Sequence, residues 1–229
     1  MDLSICIPTY EMNGKGDIFL EHSFKLLNKQ TFKNFNIIIS DHSKNDLIKD
    51  LCTKYLKDLN IVYIKNSENI GNSSSNINNA IKNADGKLIK ILFQDDFLYN
   101  EESLENTFKN FDFKNDNWLV SRCEHSSNGK SFYRDFKPYY NDNIHLGNNT
   151  ISSPSVLTIL NNKPLLFDEN LIWLMDCDYY KRCYEKFGNP KILNIITVVN
   201  RVGNHQISNT LATENLKEKE YKYIIEKYK

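Results

Sequence analysis

An α/β domain built on a mostly parallel sheet is the fold class this sequence predicts, and three observations predict it. Short β-branched runs alternate with helix-period segments through the first half of the chain, the pattern of βαβ crossovers. Three of those runs end in polar side chains: Thr9 and Tyr10, Asp41, and Asp95 with Asp96. Ligands of parallel sheets collect beyond such strand ends. With 229 residues, 40% of them hydrophobic and 25% charged, the chain fits one globular domain with its own core.

Taken in order, Leu3-Ser4-Ile5-Cys6-Ile7 reads as a buried strand stopped by Pro8. Ile18 through Lys29 places Phe19, Leu20, Phe24 and Leu27 near helical spacing. Phe35-Asn36-Ile37-Ile38-Ile39 is a second strand ending at Ser40-Asp41. Asn45 and Asp46 then open a helix whose apolar face is Ile48, Leu51, Tyr55, Leu56 and Leu59. Ile61 to Ile64 is a third strand, and Gly71 to Ala84 a helix with Ile77, Ala80, Ile81 and Ala84 on one side. Lys87 to Phe93 is the fourth strand, running into Gln94-Asp95-Asp96.

The second half is less regular. Trp118 to Ser121, Pro154 to Leu160 and Ile192 to Val199 read as strands, and Asp176 to Phe187 as a helix. Between Ser126 and Thr150 the chain is polar and rich in aromatics, longer than a simple connection needs. Glu214 to Lys229 is a charged helix with aromatic anchors. No internal repeat or linker interrupts the sequence, so one domain with two lobes is expected.

Composition excludes some functions. Lys+Arg and Asp+Glu both total 29, which leaves no basic surplus for polyanion binding, so nucleic acid is not an expected partner. No apolar run approaches the ~20 residues of a spanning helix. Met1-Asp2-Leu3-Ser4 lacks the basic start of a secretory signal, and a cytoplasmic protein is expected. Cys6, Cys52, Cys123, Cys177 and Cys183 form no CxxC pair, so neither zinc nor a disulfide framework is indicated.

Asp95-Asp96 is the strongest chemical signal. Adjacent carboxylates repel, and a bound cation such as Mg²⁺ or Mn²⁺ relieves that; the same pair could also simply cap a turn. No GxxxxGK[ST] loop or GxGxxG follows a strand, so a phosphorylated ligand would depend on a metal for positive charge. Asp41 could accept from a ligand N–H, and Thr9 and Tyr10 could offer a hydroxyl and a stacking face, although each suits an ordinary turn. Asp176 and Asp178 stand at i and i+2 and should do different jobs, one capping, the other facing a cleft as a base. His205 could ligate a metal or be a polar loop residue.

Assembled, these residues resemble the family 2 glycosyltransferases, inverting enzymes of the GT-A fold, with a mostly parallel central sheet and helices on both faces. Ser4-Ile5-Cys6-Ile7-Pro8-Thr9-Tyr10 looks like the family's first strand, with Glu11 where Asn is usual. Ile38 to Asp46 is similar to the second-strand motif, Asp41 matching the base-contacting carboxylate and His42 departing from the pattern. Asn69-Ile70-Gly71 and Asn78 look like the Asn-x-Gly…Arg-Asn segment, with Ile77 in the Arg position. Phe93-Gln94-Asp95-Asp96 looks like the DxD region; Asp176 to Arg182 resembles the Glu-Asp motif, with Met175 where Glu is usual; Arg201 and His205 resemble the late basic pair. The likeness runs from Leu3 to about Ser208 with every motif in order.

The resemblance implies Pro8, Thr9, Tyr10, Asp41, Asn78, Asp95 and Arg201 on a nucleotide-sugar donor, Asp96 and His205 on Mn²⁺ or Mg²⁺, and Asp176 as general base. It implies a nucleotide-sugar lobe to about residue 98, an acceptor lobe over 99–210 and a C-terminal helix over 213–229. The donor would be a UDP- or dTDP-sugar, and the acceptor a hydroxyl of a glycan or lipid-linked sugar, with peripheral membrane association left open. The aromatics Phe132, Tyr133, Phe136, Tyr139 and Tyr140 could form a sugar-stacking wall or a lid. Two rivals stand beside this reading. A sugar nucleotidyltransferase needs a Gly-rich loop and Arg after the first strand, and here only Gly14 and Gly16 follow Pro8. A non-catalytic sugar-binding module would lose the metal and base carboxylates, and Asp96 and Asp176 are both present.

Overall fold

The structure, a computed structural model, describes residues 1–206 and 212–229. The end of the expected acceptor lobe, from 207 to 210, and Ser208 therefore lie outside the described residues. The first half lays down β1 (Leu3–Thr9), α1 (Gly16–Asn28), β2 (Phe35–Asp41), α2 (Leu47–Tyr55), β3 (Ile61–Lys65), α3 (Ser73–Lys82) and β4 (Leu88–Ile91). Pairings β1–β2, β1–β4 and β2–β3 are all parallel. Every residue of β1 and β2 is buried, as expected of strands covered on both faces.

Side-chain alternation builds two cores. Ile5, Ile7, Ile37 and Ile39 pack against Leu20, Phe24 and Leu27 of α1 and Ile48 and Cys52 of α2. Cys6, Ile38, Ile89 and Ile91 turn the other way, toward Ile77, Ala80 and Ile81 of α3. Helices thus cover both faces.

The second half contributes β5 (Phe97–Leu98), α4 (Ser103–Lys109), β6 (Trp118–Ser126), β7 (Tyr133–Phe136), β8 (Leu157–Leu160), α5 (Met175–Phe187), β9 (Lys191–Arg201) and α6 (Glu214–Lys227). The full sheet runs β3-β2-β1-β4-β8-β6-β9-β5, with β7 on β6. Strand β8 is antiparallel to both β4 and β6, whereas β9 is parallel to β6 and antiparallel to β5. The sheet is parallel through the first half and mixed beyond it.

Several expected boundaries shift for physical reasons. Pro8 does not stop β1. The Cys6 carbonyl accepts from Leu92 on the β4 side and the Thr9 carbonyl from His42 on the β2 side. Pro8, like Cys6, therefore turns its nitrogen toward β4, whose pairing ends at Cys6, so the missing donor costs nothing. Pro154 begins a 3₁₀ turn, Pro154–Val156, rather than β8 itself. Strands β5 and β6 depart from expectation too: β5 has two residues, below any periodic signal, and β6 runs on to Ser126. Among the described residues no helix is long and apolar enough to cross a membrane. All five cysteines are buried free thiols.

Candidate active site

A cavity of about 750 Å³ opens beyond the carboxyl ends of β1 and β4 and against the first turn of α5. That volume suits a small-molecule ligand. Pro8 and Tyr10 line it from β1, Gln94, Asp95 and Asp96 from the turn after β4, Asp176 from α5, and Arg201 and His205 from the end of β9.

The floor depends on one close approach. The Tyr10 N–H donates to Gln94 Oε1 at 2.9 Å, tying the β1 end to the β4 turn. A Cβ on Gly16 would lie 2.2 Å from the Tyr10 carbonyl oxygen and 2.7 Å from Gln94 Nε2, so only glycine fits at the start of α1.

Asp96 is an anchor in that floor. Its Oδ1 accepts from the Arg201 N–H at 2.8 Å, and its Oδ2 from Ser153 Oγ at 3.0 Å and Asn200 Nδ2 at 3.2 Å. Burial, helped by the charge of Asp95, pushes its carboxyl up to about 7; burial pulls Lys90, in the adjoining β4, down to about 7. Protein donors reach both oxygens of Asp96, the carboxylate expected on the metal, and fix it in the cavity floor. Asp95 is the more open of the two, and its Oδ2 sits 3.1 Å from His205 Nε2.

Gly203 permits that placement of His205, because a Cβ there would lie 2.8 Å from the imidazole Cε1. Among the described residues no three His, Cys, Asp or Glu side chains gather as a metal-holding group. The Asp95–His205 pair nevertheless fits a shared cation. His205 Nε2 is buried without an aligned hydrogen bond. A hard divalent ion commonly takes one or two protein ligands and completes its shell with substrate phosphates and water.

The nucleotide side departs from expectation. Asp41 is fully buried. Its Oδ1 accepts from Thr9 Oγ1 at 3.2 Å and the Ser43 N–H at 2.9 Å, while Oδ2 accepts from Tyr63 OH at 2.7 Å and lies 3.5 Å from Lys65 Nζ. Thr9 and Asp41 are brought together, but as a clasp between β1 and β2 behind the cavity wall. The wall itself is His42 and Lys44. Asn78 is placed elsewhere as well: it exchanges both amide bonds with the Phe167 backbone, at 2.7 and 2.9 Å, and donates to Glu169 at 3.0 Å. It ties down the segment leading to α5 and does not line the cavity.

Arg201 lines the cavity with a committed guanidinium. Nε donates to the Asp95 carbonyl at 3.0 Å and Nη2 to His22 Nδ1 at 2.9 Å, between the rings of Phe19 and Phe97. Those two bonds brace the turn after β4 and helix α1 against the end of β9.

At the opposite wall, Asp176 keeps a partly exposed face on the cavity. Its Oδ2 accepts from Asn149 Nδ2 at 2.7 Å and its Oδ1 from the Cys177 N–H at 2.8 Å. Burial raises its carboxyl to about 6, within reach of a base working near neutral pH. Asp178 points away and neither caps the helix nor faces a cleft. It is fully buried against Arg182 Nε at 2.7 Å, Lys227 Nζ at 2.7 Å and Tyr228 OH at 2.8 Å.

None of the five aromatics between Ser126 and Thr150 lines the cavity, which overturns the sugar-stacking wall. Phe132 packs on Phe97 and Tyr99, and Tyr140 stacks on Tyr184 at 3.8 Å. From that stretch only Gly147 and Asn149 reach the cavity. Asn149 and Ser153 were missed by sequence reasoning because they sit in aperiodic chain, and Asn200 because it lies past Val199, where the strand was expected to end. His42 had a signal, its place directly after a strand-end carboxylate.

Comparison with known proteins bears on the family and the fold. The family described as "Glycosyl transferase family 2" matches residues 4–166. The uncharacterized glycosyltransferase MJ1057 of Methanocaldococcus jannaschii is 29% identical over 195 residues, 79% of this chain; the chain spans only 64% of that relative's length. Staphylococcus aureus TarS 1–349 in complex with UDP-GlcNAc superposes with a TM-score of 0.75 at 18% identity, covering 98% of this chain and 65% of that one. The mannosyltransferase PcManGT of Pyrobaculum calidifontis, in complex with GDP-Man and Mn²⁺, gives a TM-score of 0.62 at 12% identity over 88% of this chain and 57% of that one. The fold is the GT-A fold expected from the motifs.

Proposed function

The chain belongs to glycosyl transferase family 2, and from that premise we propose that it transfers a sugar, with inversion, from a nucleotide diphosphate donor to a hydroxyl of a glycan or lipid-linked acceptor. The observation that carries this is the sharing of one cavity by Asp176, with its raised pKa, and the Asp95–His205 pair. Residues to about 98 serve the donor, and those from 99 toward 210 the acceptor. A lipid-linked acceptor would place the reaction at the cytoplasmic face of a membrane, with the protein bound peripherally.

In this reading the Asp176 carboxylate takes the proton of the acceptor hydroxyl while that oxygen bonds to the anomeric carbon. The bond from that carbon to the diphosphate oxygen breaks on the opposite face, and the electron pair leaves with the nucleotide diphosphate. One displacement inverts the centre. Asn149 keeps the carboxylate aimed: its own Oδ1 is fixed by the Ile151 and Ser152 N–H groups at 3.0 and 2.8 Å, so the Nδ2 it presents to Asp176 cannot turn away. Mn²⁺ or Mg²⁺ held by Asp95 and His205 would supply positive charge to the departing diphosphate. Tyr10, 41% exposed, and His42 are rings that the β1 and β2 ends offer to the nucleoside.

Support for a UDP- or dTDP-sugar comes from the likeness to the TarS complex with UDP-GlcNAc, since Asp41 is enclosed; the PcManGT complex carries GDP-Man instead. The test is a screen of nucleotide sugars for diphosphate release with Mn²⁺, followed by Asp176→Asn. Loss of transfer with nucleotide affinity kept within a few-fold is the expected result. Undiminished transfer in the variant would remove Asp176 from the mechanism.

A further inference from the structure

Helix α5 carries the proposed base in its first turn, yet its N-cap residue is Leu174, whose side chain has no oxygen to accept the free amides there. The turn that leads into the helix is instead held from α6. Glu220, on α6 and 2% exposed, takes hydrogen bonds from three consecutive amides: Oε1 from Ile172 at 2.8 Å, Oε2 from Leu174 at 2.8 Å, and both from Trp173, at 3.3 and 3.0 Å.

Helix α6 holds α5 at a second point. Lys227 Nζ and Tyr228 OH reach Asp178 at 2.7 and 2.8 Å. The two attachments bracket Asp176, one just before it and one just after. Trp173, Leu174 and Asp176 all face the cavity, so whatever fixes the 172–174 backbone fixes the cavity wall beside the base.

We propose that Glu220 is a positioning residue for the transfer reaction, holding Asp176 at its working place by clasping, from the C-terminal helix, the turn that enters α5. The inference rests on the proposed transferase reading. A carboxylate suits the role twice over: it accepts through both oxygens, and its charge meets the positive end of the helix dipole. Glutamine keeps the shape but offers one acceptor oxygen and turns an NH₂ toward backbone N–H groups. A misplacement of roughly 1 Å at a reacting group costs on the order of a hundredfold in rate.

The experiment compares Glu220→Gln with Ile224→Ala, a cavity variant one turn further along α6 at a fully buried site. Turnover is expressed per nucleotide-binding site titrated calorimetrically with UDP and Mn²⁺, so that unfolded protein does not count. Glu220→Gln should lower kcat per site about tenfold or more, with donor KM and UDP affinity within about twofold of wild type. Ile224→Ala should lower Tm and leave kcat per site within about twofold. Unchanged kcat per site in Glu220→Gln, or an equal loss in Ile224→Ala, overturns the proposal.

Should Glu220→Gln fail to fold, amide hydrogen exchange of the wild type decides. Protection at Ile172, Trp173 and Leu174 well above that of exposed loops supports the clasp, and exchange at loop rates overturns it. Wild-type protein that turns over no nucleotide sugar would refute the transferase reading itself, an outcome distinct from an active wild type and an equally active variant.

Discussion

Asp176→Asn should make the protein more stable as it removes the base. Burial lifts the Asp176 carboxyl from its ordinary 3.8 to about 6. At about 1.4 kcal/mol per unit, keeping it charged costs the folded state at most about 3 kcal/mol. The folded protein holds this proton more tightly than the unfolded chain does. The cost is therefore full above pH 6, shrinks as pH falls through 6, and is gone below about pH 4.

Asparagine never pays that cost, but it presents one oxygen where the carboxylate accepts from both Asn149 and Cys177. Losing one of those bonds costs about 1–2 kcal/mol. The variant should thus gain about 1–2 kcal/mol at pH 8, roughly 2–8 °C in Tm for a chain of this length. The gain should vanish by about pH 5. Urea unfolding of both proteins at the two pH values measures it. A stability difference that ignores pH, or one that favours wild type more as pH rises, would refute the burial argument. The same ionisation sets the acid limb of wild-type transfer, which should fall about tenfold per pH unit below 6.

Other substitutions separate the roles around the cavity. Gly203→Ala brings a methyl to 2.8 Å from the His205 ring; calorimetry should show metal-dependent UDP binding weakened about tenfold or more with little change in Tm. Asp95→Asn should abolish the effect of Mn²⁺ on UDP affinity, whereas Asp96→Asn should act mainly on stability, because its oxygens hold Arg201, Ser153 and Asn200. Asp178→Asn leaves Arg182 and Lys227 beside an uncharged group in a buried setting; a loss of about 3 kcal/mol or more by chemical denaturation is expected, with UDP affinity unchanged.

Periodicity and turn chemistry determined the frame. The alternation of β-branched runs with 3.6-period segments dictated β1 to β4 and their helices, because each face of a buried strand must meet an apolar stripe. Motif order carried the family, and the cavity lies beyond the polar strand ends, at Tyr10, His42 and Asp95. What each carboxylate does was decided only by packing. Asp95 and Asp96 are neighbours in sequence, yet one meets His205 and the other is enclosed by β9 and Ser153. Asp41 became a clasp because Tyr63 and Ser43 took its lone pairs, and Asn78 turned to Phe167. Asn149, Asn200 and Glu220 reach their partners across 27 to 104 residues of chain. Contacts of that range leave no local period, since they depend on which surfaces the folded sheet brings face to face.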